Sequence, residues 1–155
     1  MTFDPKLGGP ESVVFKQLED WTNRPEEGIR HYSGTAVYHN EFDLPGDTPS
    51  RQIHLDLGAV SSLAQVRLNG EDLGVVWCRP WRVDIGSVAK EKNNKLEIKV
   101  VNTWINRLLA DEELPENQRI TWVASPAIRA QKPMPAGLFG PVTIKVENEI
   151  KANTR

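Results

Sequence analysis

Within six residues the chain places Trp77, Arg79, Trp81 and Arg82 around Pro80, with Cys78 between the first two. An indole face can cover the apolar C–H side of a sugar ring, and a guanidinium can donate to its hydroxyls. This grouping therefore suits carbohydrate recognition from a loop on a rigid scaffold. A second grouping, Trp104, Asn106 and Arg107, repeats the same chemistry further along. Trp77, Arg79, Asn106 and Arg107 are the candidate ligand-binding residues. Trp81 and Trp104 fall on expected apolar faces, and Trp21 reads as a plug at one end of the core.

Cleaving a glycosidic bond would instead need two carboxyl groups about 5 to 9.5 Å apart, one with a raised pKa. The densest acidic cluster, Asp111-Glu112-Glu113, follows a short helical pattern and reads as a solvated loop, so no catalytic residue is assigned. His31, His39 and His54 lack metal-ligand spacing, and the last two fall on polar strand faces. A single cysteine excludes an internal disulfide and, at a strand end, reads as packing. There is no phosphate-cradling glycine loop between strand and helix, and no nucleophile elbow.

The elements that would hold these residues are mostly strands. Asn69-Gly70 can supply two positive φ angles for a type I′ turn, pairing Leu68 with Glu71, Arg67 with Asp72 and Val66 with Leu73. That register puts Ala64, Val66, Leu68, Leu73 and Val75 on one face and opposes Arg67 to Asp72 on the other. Alternation predicts further strands over residues 29–42, 53–57, 81–85, 95–100 and 142–147, and β-branched content predicts one at Ser12-Val13-Val14-Phe15. Pro45-Gly46-Asp47-Thr48-Pro49 and Asn93-Asn94 read as turns. One helix is expected, Trp104 to Ala110 capped by Thr103, with Trp104/Leu108 and Ile105/Leu109 spaced by four. Eight or so short strands with one helix in a crossover describe an all-β antiparallel sandwich or jelly roll.

With 155 residues, one domain is expected over residues 12–150, with residues 1–11 as a linker or arm and 151–155 as a tail. A net charge of −2, with 19 basic residues scattered among 21 acidic ones, argues against nucleic acid or an anionic membrane as partner. No apolar run is long enough to span a bilayer.

The order of motifs carries more than any one of them. Tyr32-Ser33-Gly34-Thr35-Ala36-Val37-Tyr38 with Glu41-Phe42, Leu55-Asp56-Leu57-Gly58, Ala64-Gln65-Val66-Arg67-Leu68-Asn69-Gly70, Leu73-Gly74, and Asn94-Lys95-Leu96-Glu97-Ile98-Lys99-Val100-Val101-Asn102 together resemble the sugar-binding sandwich of glycoside hydrolase family 2. Asn102-Thr103-Trp104-Ile105-Asn106-Arg107-Leu108-Leu109 and Ala136-Gly137-Leu138-Phe139-Gly140-Pro141-Val142 are similar to the galactose-binding-like domain of α-L-rhamnosidase-type bacterial glycosidases. The resemblance implies a jelly-roll accessory domain, non-catalytic, within an enzyme acting on plant or host polysaccharides. Its expected partners are carbohydrate and the catalytic domain of the same chain, in the periplasm or outside the cell. A free-standing lectin-like protein is the alternative. No cofactor is assigned; such sandwiches often hold a structural Ca²⁺, but no loop here gathers enough oxygen ligands to commit to one. A purely architectural role is also open, with Asn106-Arg107 and residues 119–130 as the docking face.

Overall fold

The computed structural model of the chain describes residues 1–46, 53–122 and 126–146. Its elements are α1 (Glu27–Arg30), β1 (Thr35–Phe42), β2 (Ile53–Asp56), β3 (Leu63–Leu68), β4 (Glu71–Val76), β5 (Arg82–Asp84), β6 (Asn94–Val101), α2 (Ile105–Glu112), α3 (Pro126–Arg129) and β7 (Thr143–Val146). A four-stranded sheet, β1-β6-β3-β4, faces a three-stranded sheet, β5-β2-β7, and every pairing is antiparallel. Period-2 patterning decides what lies between them. Ala36, Tyr38, Ala64, Val66, Leu68, Leu96, Ile98 and Val100 from the larger sheet are buried, as are Ile53, Leu55 and Val83 from the smaller. The antiparallel β-sandwich expected from the sequence is the fold.

One end of the sandwich is closed by rings. Trp21 is fully buried; Phe3 and Tyr32 meet it edge-on and Tyr38 stacks on it. Its Nε1–H donates to Tyr38 Oη at 2.7 Å, and that oxygen also accepts from Leu138 N–H. The backbone passes so close that a Cβ on Gly137 (φ +109) would lie 2.5 Å from the indole nitrogen. Residues 1–11, expected as a linker or arm, supply Phe3 to this cluster and bridge β1 through Thr2.

The Asn69-Gly70 turn has both φ angles positive, 54° and 90°, and Leu68–Glu71 and Arg67–Asp72 pair as expected. Beyond them the pairing shifts by one: Gln65 opposes Val75 and Ala64 opposes Val76, so the expected Val66–Leu73 pair is replaced by a bulge. Gly74, at φ +91, is the extra residue, and its N–H is held by Asp72 Oδ1. As a result Val75 is exposed and Val76 packs on the core, the reverse of simple alternation. Arg67 and Asp72 form no ion pair: Asp72 accepts from Gln65 Nε2, and Arg67 donates to Gly70 O.

Other expectations need correcting. The strand over residues 29–42 begins only at Thr35, because Ile29 is the buried residue of α1. Ser12-Val13-Val14-Phe15 makes a single bridge at Ser12 rather than a strand. Among the described residues there are three short α-helices, where one was expected, and seven strands. Asn93 (φ 57°) turns the chain, but Asn94 is the first residue of β6. Of the turn at 45–49, residues 47–49 lie outside the described residues, as do 147–155.

Candidate functional site

The Trp77-to-Arg82 segment carries the chain from the larger sheet to the smaller, and its two ends differ. Trp81 is partly buried against the core, and its C=O accepts from Leu57 N–H at 2.8 Å. Arg82 Nε donates to Asp56 Oδ2 at 2.9 Å. The Gly58 N–H, with Arg82 second, holds the Asp56 carboxyl below its ordinary pKa. Between β4 and these anchors Trp77, Cys78, Arg79 and Pro80 are all exposed, Trp77 by 71%. Trp77 thus presents a large apolar side chain to solvent, two residues before the exposed Arg79.

Asn106 and Arg107 sit in a different setting. The sequence pattern predicts that α2 buries its apolar residues; instead Trp104 is 48% exposed and Asn106, Arg107 and Asp111 are buried. Thr103 is not its cap: Trp104 holds that position and makes no side-chain capping bond. The buried polar face anchors loop backbone, whose N–H and C=O groups must find partners when no strand provides them. Asn106 Nδ2 donates to Met134 O and its Oδ1 accepts from Met134 N–H, both at 2.8 Å. Arg107 N–H donates to Ser33 Oγ, and its guanidinium lies 2.7 Å from Asp111 Oδ1. Asp111 Oδ2 accepts from Ile120 N, Thr121 N and Thr121 Oγ1. Burial pushes the Asp111 pKa up, but the Thr121 hydroxyl and amide, the Ile120 amide and Arg107 outweigh it and hold the carboxyl low.

The structure thus brings Asn106 and Arg107 together, with Asp111, inside the crossover. Trp77 and Arg79 belong to the separate, exposed segment. Asp111, expected in a solvated loop, is the functional-looking residue that sequence reasoning missed. The available signal was its place four residues after Arg107, the spacing of a helical ion pair. Glu112 is likewise covered, its carboxylate paired with the exposed Arg129 of α3. Asn102 completes this end, accepting from Gly34 N and donating to Tyr32 O.

A cleft of about 790 Å³ lies elsewhere, among Phe15, Leu18, Tyr38, Leu96, Ile98 and Leu138, and no carboxylate lines it. Among the described residues no three His, Cys, Asp or Glu side chains converge as metal ligands. Among the same residues no helix is long and apolar enough to cross a membrane.

Comparison with known proteins fits this sandwich to the glycosyl hydrolase 2 galactose-binding domain-like description over residues 19–134. The chain belongs to that family. This galactose-binding-like domain is also 41% identical to a solved rhamnosidase from Novosphingobium sp. PP1Y, with a TM-score of 0.83, across 92% of its own length and 14% of the rhamnosidase. A Formosa agariphila protein named as a beta-glucuronidase is 43% identical over 105 residues, 66% of this chain and 9% of that protein. The Ruminococcus gnavus beta-glucuronidase, solved with uronic isofagomine, superposes with a TM-score of 0.55 at 25% identity over 65% of this chain and 19% of its own. The chain therefore spans a small part of each relative, and it is a domain of glycoside hydrolase family proteins.

Proposed function

We propose that this galactose-binding-like domain is a non-catalytic part of a multidomain glycoside hydrolase and braces the catalytic domain of the same chain. The observation that carries this is the distribution of tryptophan. Trp77, Trp104 and Trp122 are 71%, 48% and 96% exposed, and none lines the large cleft. Exposed indoles are poorly placed for core stability and well placed to anchor an interface. Trp77 and Arg79 are the contact residues in this reading. Asn106 and Arg107 position the crossover that carries Trp104 and Trp122. In this reading the parent enzyme acts on plant or host polysaccharides, in the periplasm or outside the cell.

Carbohydrate binding is the second reading, favoured by the Trp77–Arg79 pairing of an exposed ring with a donor fork. One experiment separates the two. In the full-length enzyme Trp77→Ala and Arg79→Ala should each loosen the domain from the catalytic part, lowering the melting temperature of the catalytic part and kcat together. Titration of the domain with oligosaccharides should then give no saturable signal. Saturable sugar binding lost on Trp77→Ala, with catalytic-part stability unchanged, would replace bracing by recognition.

A further inference from the structure

The larger sheet ends at β1, and among the described residues the outer edge of β1 is paired at one place. Thr2 N–H donates to Val37 O and Val37 N–H to Thr2 O, both at 2.9 Å. Backbone groups alternate sides along an antiparallel strand, so those of His39 and Glu41 face the same way as Val37. No residue among those described pairs with them there. On the far side of Met1 and Thr2 a second short ladder forms. Met1 N donates to Val13 O, Val13 N–H donates to Met1 O, and Thr2 bridges Ser12.

Past that point the two flanks part. Residues 14–18 form one wall and residues 38–40 the other, with the 790 Å³ cleft between them over Leu96, Ile98 and Leu138. Val14, at 83% exposure, stands in this gap. Ser12-Val13-Val14-Phe15 has the composition of a strand, yet only Ser12 and Val13 are paired, with Thr2 and Met1; among the described residues no backbone bond reaches Val14 or Phe15, and their partner would lie where the cleft is. An unpaired edge above a buried apolar floor is a liability unless something covers it.

We infer that the cleft seats one β-strand of the enclosing glycosidase polypeptide, antiparallel to β1 and between β1 and residues 13–17. The inference rests on the domain being part of a longer enzyme, and it is independent of which surface meets the catalytic domain. Extending the Thr2–Val37 register places one residue of the added strand opposite His39, the next opposite Asn40 and the next opposite Glu41. Residues opposite Asn40 and Phe42 share the face of Met1 and Tyr38 and point at the apolar floor; the alternate ones meet solvent with His39 and Glu41. The strand must therefore alternate apolar and polar in that phase. A segment of the same polypeptide is the fitting occupant. Most of each relative lies outside the length matched here, 86% of the rhamnosidase by the 14% covered, and a tethered strand has an effective concentration that a free partner lacks.

Hydrogen exchange on the full-length enzyme tests this. The His39 and Glu41 amides should exchange about a hundredfold more slowly there than in the chain of residues 1–155. Equal rates would overturn the inference, and so would protection in the short chain that grows with protein concentration, since a second copy would then hold the edge. A pair of fusions covers the case in which the short chain does not hold its fold. An eight-residue strand joined ahead of Met1, with apolar residues at the second, fourth and sixth positions before it, should raise Tm by about 4 °C or more over the same strand shifted by one residue. Equal melting of the two fusions would also overturn it.

Discussion

Asn69 does more than turn the chain. Its positive φ serves the hairpin, while its side chain donates to Val88 O and Asn94 Oδ1 and accepts from Lys95 N–H. Asn94, fully buried, in turn accepts from Lys90 N–H and donates to Lys90 O. Asn69→Gly keeps the turn and deletes the latch, so it should cost about 2 kcal/mol in urea unfolding, near the sum of three neutral hydrogen bonds less relaxation. Asp111 makes a pH-dependent counterpart. Its folded carboxyl titrates below the unfolded value of about 3.9, so its stabilisation is present above that pH and is lost as pH falls through the folded pKa. Asp111→Asn leaves buried Arg107 uncompensated and should cost about 3 kcal/mol at pH 7. In denaturant titrations from pH 7 to pH 2 the gap between the two proteins should close at the acid end. A gap that stays constant would mean that the charge of Asp111 contributes nothing.

At the scale of elements, the bulge in β4 is the clearest case of a local device that reorients its neighbours. Gly74 is the one residue in excess between the Arg67–Asp72 and Gln65–Val75 pairs, so removing it leaves both pairings in phase, whereas adding a side chain at φ +91 strains it. Gly74→Val should therefore destabilise by about 1–2 kcal/mol, and deletion of Gly74 by less, as read from thermal melting with cross-strand NOEs between residues 64 and 76. The strands themselves were legible. Leu96, Ile98 and Val100 alternate with charges and become the buried face of the central β6, and Asn69-Gly70 turns where its chemistry requires. The bulge was not legible, because Leu73-Gly74-Val75 satisfies strict alternation just as well on paper. The helix inverted for a different reason. Its spacing marked Ile105 and Leu109 for the core, but the irregular crossover needs backbone partners, and Asn106 and Asp111 take the inner face to supply them, with Arg107 paired to Asp111.

For the whole molecule, the order of motifs along the chain revealed more than any single motif, because a sandwich is defined by which strands are neighbours. The candidate site was only half legible. Residue types marked Trp77, Arg79, Asn106 and Arg107 for their chemistry alone, whereas exposure is a property of the assembled fold, and it divides them into an outward pair and an inward pair. Val14 and Phe15 show a related limit, since strand-forming residues extend a strand only where a partner continues beside them, and theirs stops at Met1. The same assembly leaves the sole thiol of the sequence, Cys78, in the open between Trp77 and Arg79. A maleimide dye can thus be attached to the domain without any substitution, at the spot where contact is expected. Its emission would register burial by a bound surface in real time, giving an optical footprint of assembly for which the fold already provides the attachment point.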